Sequence, residues 1–204
     1  MALDRLRDET RDLHQHVERA LDMDAVCADL SAYRGFLSRA LGYYAPIEML
    51  LARFAWQAAG LEFTPRRKVP LLLADLRALG VDTTQQEHGQ CKALPLPVSI
   101  AGAFGVLYVL EGATLGGQLM LRKVQAGLGL SPSQGAAFHQ GYGFENGSQW
   151  HAFRACAERH LVDPTHCDEA VKLARQTFET YSAWMTAGRA PAQSSADELE
   201  GRHA

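Results

Sequence analysis

The chain has 204 residues, of which 47% are hydrophobic and 21% charged, with a formal net charge of −3. This composition predicts one globular domain with a substantial core. The acidic balance argues against a nucleic-acid-binding domain, which usually carries a basic surface. The N-terminus lacks a signal-peptide pattern and the four cysteines form no C-x-x-C pair, so we expect a cytoplasmic protein with reduced thiols.

Apolar residues recur at helical spacing along most of the chain, and no β-alternation longer than a few residues is visible. The predicted helices are residues 2–21, 30–58, 69–79, 98–128, 131–142, 148–161 and 163–184. Ser31 and Gly60 are the expected boundaries of the second helix, and Pro46 should kink it. The polar residues 188–204 are predicted to be a disordered tail after a single domain, residues 1–187.

A long apolar stretch, residues 98–130, is interrupted by glycine more often than chance predicts, since it holds seven of the 18 glycines. Four of them share one face of a helix, within an arc of about 80°: Gly102, Gly105, Gly112 and Gly116. Each glycine weakens a helix by roughly 1 kcal/mol, so we expect a ligand or another helix against this bare backbone. Its polar residues, among them Glu111 and Gln118, favour a buried helix over a membrane span.

The first helix has an apolar stripe, and Arg7, His14 and Glu18 follow one line along its edge. Arg7 and His14 are separated by roughly 10 Å along the helix axis. A flat cofactor with a central metal and acidic groups at its rim would match that separation. The alternative is that His14 binds no ligand, because a lone histidine at a helix edge is more often a hydrogen-bonded surface or core residue.

Residues 6–18 resemble the opening helix of heme oxygenases. The family has a threonine four residues before its proximal histidine and an acidic residue four after it, and Thr10, His14 and Glu18 match. A basic residue that contacts a heme propionate in the family falls on Arg7.

Residues 108–118, YVLEGATLGGQ, resemble the distal helix of the same family. Gly112, Gly116, Gly117 and Gln118 fall in register with its glycine kink. The sequence of residues 108–118 is most similar to bacterial members, including those found with bacteriophytochromes. Residues 66–80 give a weaker match to the same members.

The resemblance implies an all-α, single-domain helical bundle of the heme oxygenase type, with a kinked glycine-rich distal helix. It implies oxidative cleavage of heme, which is both cofactor and substrate, to biliverdin, carbon monoxide and ferrous iron. His14 would be the metal ligand, and Gly112, Gly116 and Gly117 the catalytic residues. The implied cofactor-binding residues are Arg7, Thr10, His14, Glu18, Tyr108, Gly112, Gly116 and Arg154.

Electrons for this reaction must come from a separate donor, such as a ferredoxin or an NAD(P)H-dependent reductase, since no G-x-G-x-x-G fingerprint follows a strand. A bacteriophytochrome or another biliverdin acceptor is a further expected partner. Neither nucleic acid nor a membrane is expected.

The sequence departs from the mammalian pattern at Ala113, where those enzymes have an aspartate that holds the distal water. Bacterial variants also lack it, so loss of activity does not follow. Tyr108, Tyr142 and Gln118 are the candidates for ordering that water here.

Two rival functions remain open at this point. A non-heme enzyme of the same helical fold would need carboxylate or histidine clusters, and the central helix offers only Glu111. A heme carrier or sensor that does not degrade its ligand would share the same ligation. The basic run of residues 66–68 is predicted to be a solvated turn rather than a docking patch for a reductase.

Overall fold

A computed structural model describes residues 1–83 and 89–187. Within these ranges the chain is all-α with one hydrophobic core, as the sequence predicts, but it forms eight α-helices where seven were predicted. The helices are α1 (Ala2–Ala20), α2 (Met23–Ala28), α3 (Leu30–Leu51), α4 (Val69–Ala78), α5 (Ile100–Leu128), α6 (Ala137–Gln140), α7 (Asn146–His160) and α8 (Pro164–Thr186). The predicted tail, residues 188–204, lies outside the described residues, so it and the domain boundary before it stay predictions.

Two aspartates start the helices that follow α1. The side chain of Asp22 accepts a hydrogen bond from the Ala25 amide at 3.0 Å, and α2 begins there. Asp29 does the same for the Ala32 amide at 2.6 Å and is the N-cap of α3. The prediction that Ser31 caps this helix is therefore wrong, because Asp29 supplies the acceptor two residues earlier.

The end of α3 also differs from the prediction, since the helix stops at Leu51 and not near residue 58. The apolar pattern continues past this point because Trp56 is buried in the core. Its indole Nε1 donates to the Leu51 carbonyl at 2.7 Å, which satisfies one of the last carbonyls of the helix. Pro46 lies inside α3, and the kink expected there stays a prediction.

The helix predicted over residues 131–142 is broken in the structure. Pro132–Gln134 forms a 3₁₀ turn, Gly135 follows with φ +104°, and α6 is only Ala137–Gln140. Residues 143–147, predicted to be a loop, are helical, because Gly143–Glu145 forms a 3₁₀ turn and α7 begins at Asn146. Gly135 explains the break, since this left-handed conformation ends a helix and favours glycine.

Helix α5 is the central helix, and α8 packs against it along most of its N-terminal half. Helix α1 packs on α8 as well, so α8 joins the two helices that carry the predicted site. By length and composition α5 could cross a membrane, but 67% of its most apolar window is buried inside the protein, as expected of a core helix. It is continuous through Gly116–Gly117, and the predicted kink stays a prediction.

Candidate functional site

The glycine face of α5 is divided between a packed half and an open half. A Cβ on Gly105 would collide with the backbone carbonyl of Ala170 on α8, and one on Gly102 would lie 2.7 Å from Glu169. At Gly112 and Gly116, by contrast, a Cβ would meet no described atom within 4 Å. The sequence predicted either a helix or a ligand against this face. In the structure α8 packs on the half with Gly102 and Gly105, and the half with Gly112 and Gly116 is open.

Gly117 lies on another side of α5. A Cβ there would come within 2.5 Å of the carbonyl oxygen of His139 on α6, so this glycine permits close helix packing. The structure therefore separates Gly117 from the open face formed by Gly112 and Gly116.

The open face also carries three larger side chains. Tyr108, Leu115 and Leu119 lie within about 60° of Gly112 around the helix. Tyr108 is half-buried, while Leu115 and Leu119 are 38% and 57% exposed, which is unusual for leucines on a core helix. The sequence analysis did not single out the two leucines, although their spacing from Gly112 places them on this face.

On α1, His14 is also exposed to a degree that suits a ligand. Its side chain is 57% exposed, and the Phe178 ring of α8 meets the imidazole edge-on at 5.8 Å between centroids. Nδ1 lies 3.7 Å from the Glu18 carboxylate, so Nε2 is not part of this pairing. An imidazole oriented through one nitrogen can bind a metal through the other.

The two walls of the site meet at Thr10 and Tyr108. The hydroxyl of Thr10 is buried and donates to the Leu6 carbonyl at 2.7 Å. Burial raises the pKa of the Tyr108 phenol, and the nearby Thr10 hydroxyl opposes that shift. His14 and Gly112 each follow this contact by one helical turn, so each is about 6 Å along its helix from it. The exposed histidine and the open glycine face therefore lie in the same part of the molecule.

The two arginines predicted at the site have different surroundings. Arg7 is 63% exposed and pairs with Asp8 at 3.4 Å and Asp4 at 3.6 Å. Arg154 is partly buried on α7, one turn after Trp150, whose ring lies 6.0 Å from that of Tyr108. Arg7 is thus free to change partners at the surface, and Arg154 is on a helix that borders the open face.

A buried polar cluster lies behind the open face. Glu111, 2% exposed, accepts hydrogen bonds from Arg66 Nη1 at 2.8 Å and from the Tyr142 hydroxyl at 2.6 Å. Arg66 also donates to Gln149 on α7. Lys68 places its ammonium 3.7 Å from the centre of the Tyr142 ring, and its burial lowers its pKa to about 8.

The prediction that residues 66–68 form a solvated turn is wrong. Arg66 and Lys68 are 5% and 3% exposed, and only Arg67 reaches the surface. Buried Arg66 pairs with Glu111 at 2.8 Å, and exposed Arg67 pairs with Glu48 at 3.1 Å, two carboxylates that the sequence pattern left unpaired. A lone glutamate inside an apolar helix was the signal for such a partner.

Two of the three side chains considered for ordering distal water are hydrogen-bonded to groups away from the open face. Tyr142 donates to Glu111, and Gln118 Nε2 donates to the Gln140 carbonyl at 3.1 Å. Ala113 is exposed beside the open face. Of the three candidates, Tyr108 is the one that lies on this face.

Among residues 1–83 and 89–187, no three His, Cys, Asp or Glu side chains converge as a metal cluster would require. One exposed histidine and an open glycine face would suit a metal carried by a flat organic molecule.

The fold and the site thus define a helical protein with one exposed histidine near a glycine-lined open face. A family model for heme oxygenase matches residues 1–187. A heme oxygenase of Xanthomonas campestris pv. campestris (strain 8004) is 30% identical over 167 residues, which cover 80% of this chain and 94% of that protein. The chain belongs to the heme oxygenase family.

Solved structures give the same fold. The NO- and CO-bound heme oxygenase of Neisseria meningitidis superposes with a TM-score of 0.77 at 21% identity, covering 91% of this chain and 90% of that one. Heme oxygenase from Leptospira interrogans gives 0.74 at 17% identity, over 91% of this chain and 99% of that one. The all-α fold and the family predicted from the sequence are confirmed.

Proposed function

We propose that this protein cleaves heme to biliverdin, carbon monoxide and ferrous iron, using O₂ and electrons from a separate donor. Family membership supports heme degradation in general. The observation that supports cleavage to these three products is the pair formed by exposed His14 and the open backbone of Gly112 and Gly116. These groups lie one turn from the same Thr10–Tyr108 contact, on two different helices.

The residues present fit a heme. His14 would hold the iron through Nε2, while Glu18, near Nδ1, orients the imidazole. Phe178 packs against the ring edge and limits its rotation. Bound heme supplies the iron that activates O₂ and the ring carbon that is oxidised.

The open half of α5 provides space on the other side of the ligand. Gly112 and Gly116 present backbone without side chains, so a small oxidant can fit between helix and heme. Leu115 and Leu119 would add apolar contacts to the macrocycle. Tyr108 is the polar side chain on this face and is the candidate for holding a water there.

Arg7 and Arg154 are proposed to bind the heme propionates. Charge-assisted hydrogen bonds from a guanidinium to a carboxylate are among the stronger polar contacts in proteins. Arg7 would exchange its exposed pairing with Asp4 and Asp8 for a propionate. Together the two arginines would fix the rotation of heme in its plane and hence the carbon that is attacked.

The proposed partners follow from the chemistry. A ferredoxin or an NAD(P)H-dependent reductase would supply the electrons, and a bacteriophytochrome or another acceptor would take the biliverdin. The four cysteines are free and buried in the structure, which supports the cytoplasm as the compartment.

The test is a reconstitution with heme followed by ascorbate, or a ferredoxin system, in air. We expect the Soret band to decay while a biliverdin band grows, with chromatography identifying the product. A stable ferrous or oxygenated spectrum under the same conditions would instead identify a heme carrier or sensor and contradict the proposal.

A further inference from the structure

The part of α5 that carries the open face is packed against α6 on one side and open on the other. It contains Gly112, Gly116 and Gly117, and glycine is a poor helix former. Gly112 and Gly116 have no described atom within 4 Å of a Cβ position, so packing does not fix that side. Upstream, Gly105 is pressed against the Ala170 backbone, and downstream Gly117 lies against the His139 backbone of α6. The face therefore needs a restraint from another direction.

Glu111 is placed to supply it. This residue precedes Gly112 and lies about 100° from it around the helix. Its two carboxylate oxygens are held separately, one by Arg66 at 2.8 Å and the other by Tyr142 at 2.6 Å. A rotation of α5 that turned Gly112 away would have to break both hydrogen bonds. Since Arg66 and Tyr142 come from different segments, the restraint acts from two sides.

The two partners of Glu111 are themselves fixed. Arg66 donates to the backbone carbonyl and the side chain of Gln149 at 3.3 and 3.2 Å, which ties the cluster to α7. The Tyr142 ring lies under the Lys68 ammonium at 3.7 Å, and the Lys68 ammonium donates to the Arg66 carbonyl at 3.0 Å. Contacts among Arg66, Lys68 and Tyr142 thus fix the groups that surround the Glu111 carboxylate.

We propose that the triad of Arg66, Glu111 and Tyr142 is a positioning site, which fixes the rotation of α5 and thereby the distance and tilt of the Gly112–Gly116 face toward the bound heme. The inference rests on the proposed function, because it names what orients that same site. Stability alone is a poor reason for such a triad, since buried ion pairs can often be replaced by apolar residues without loss.

A second buried carboxylate offers a matched control. Glu48 is also 2% exposed and accepts hydrogen bonds from the Lys68 and Val69 amides and from Arg67. These partners place it at the start of α4. Glu48 bonds Lys68 through the backbone amide and not through the ammonium that lies over Tyr142, so its loss should affect the local helix start and leave α5 alone.

The first measurement uses the heme-free protein. In Glu111→Gln, which keeps the shape of the side chain, we expect amide hydrogen exchange at residues 112–117 to quicken by about tenfold or more. Tyr142→Phe, which removes one hydrogen bond, should change the same amides to a smaller degree. Glu48→Gln should quicken exchange at residues 68–70 and not at 112–117. Equal exchange at 112–117 in all four proteins would overturn the triad's role.

The second measurement uses the heme-loaded protein with carbon monoxide as a probe. Glu111→Gln should retain heme affinity within about threefold, yet shift the C–O stretching frequency and the ratio of biliverdin isomers, since each depends on the geometry above the heme plane. A lowered melting temperature with an unchanged frequency and isomer ratio would show that the triad is only structural. If the wild-type protein forms no biliverdin, the proposed function fails, while the exchange measurement still decides the triad.

Discussion

At the level of single residues, His14 is the side chain on which heme ligation depends. His14→Ala should remove turnover and change the ferric heme spectrum, and added imidazole should restore the spectrum by filling the vacated position. His16→Ala is the control, because His16 is exposed on the polar side of α1. If His16→Ala lost the spectrum and His14→Ala kept it, the ligand assignment would be wrong.

Arg7 is the residue whose exposed ion pairs should give way to a propionate. Arg7→Glu should weaken heme binding by about tenfold or alter the biliverdin isomer ratio, because it replaces a charge-assisted hydrogen bond with a repulsion. Arg11→Glu is matched to it, since Arg11 is likewise 63% exposed and pairs with Asp8. Heme titration of both variants decides the matter, and equal effects would show that Arg7 is an ordinary surface charge.

At the level of helices, the divided face of α5 predicts opposite outcomes for the same kind of change. Gly105→Ala should destabilise the protein by about 1–3 kcal/mol or more, because the new methyl group meets the Ala170 backbone. Gly116→Ala should be neutral or stabilising by up to about 1 kcal/mol, since space is open and alanine favours helix. Thermal melts of the two variants measure this difference.

Gly116→Leu extends the contrast to chemistry. The variant should still fold, since no described atom lies within 4 Å of the Cβ position, but biliverdin formation should be lost because the side chain fills the space beside the heme. Turnover and melting temperature are measured on the same preparation. A stable, heme-loaded and fully active Gly116→Leu variant would show that catalysis does not need the open space at Gly116.

The sequence predicted helices best where apolar periodicity was long, as in α1, α5 and α8. It failed where side-chain hydrogen bonds decide the boundaries, as at Asp29 and at the Trp56–Leu51 contact. The resemblance named the glycines, but only packing against α6 and α8 divides them into two groups. The Glu111 triad joins residues that lie up to 76 positions apart, from Arg66 to Tyr142, and helical periodicity carries no information on such pairs.

For the whole molecule, the buried His139 predicts sensitivity to acid. It is stacked with Tyr33 and Phe36, and burial lowers its pKa from 6.5 to about 4. Between these two values the unfolded chain binds a proton that the folded protein does not. The contribution of His139 to stability should therefore be constant above pH 6.5 and fall as the pH drops toward 4, by about 3 kcal/mol in total.

His139→Phe should remove this part of the acid dependence, because phenylalanine keeps a ring in the stack and cannot be protonated. His151→Phe is the control, since His151 is exposed and its loss should leave the pH dependence as in wild type. Urea unfolding from pH 7 to pH 4 measures both. Parallel curves for wild type and His139→Phe would contradict the argument.

Helix α8 packs against both α1, which carries His14, and α5, which carries the open face. Phe178 meets His14 on one side, and the Ala170 backbone meets Gly105 on the other. The placement of α1 relative to α5 therefore depends on how each of them packs on α8. Substitutions in α8 would then change the affinity for heme without altering any residue that contacts it.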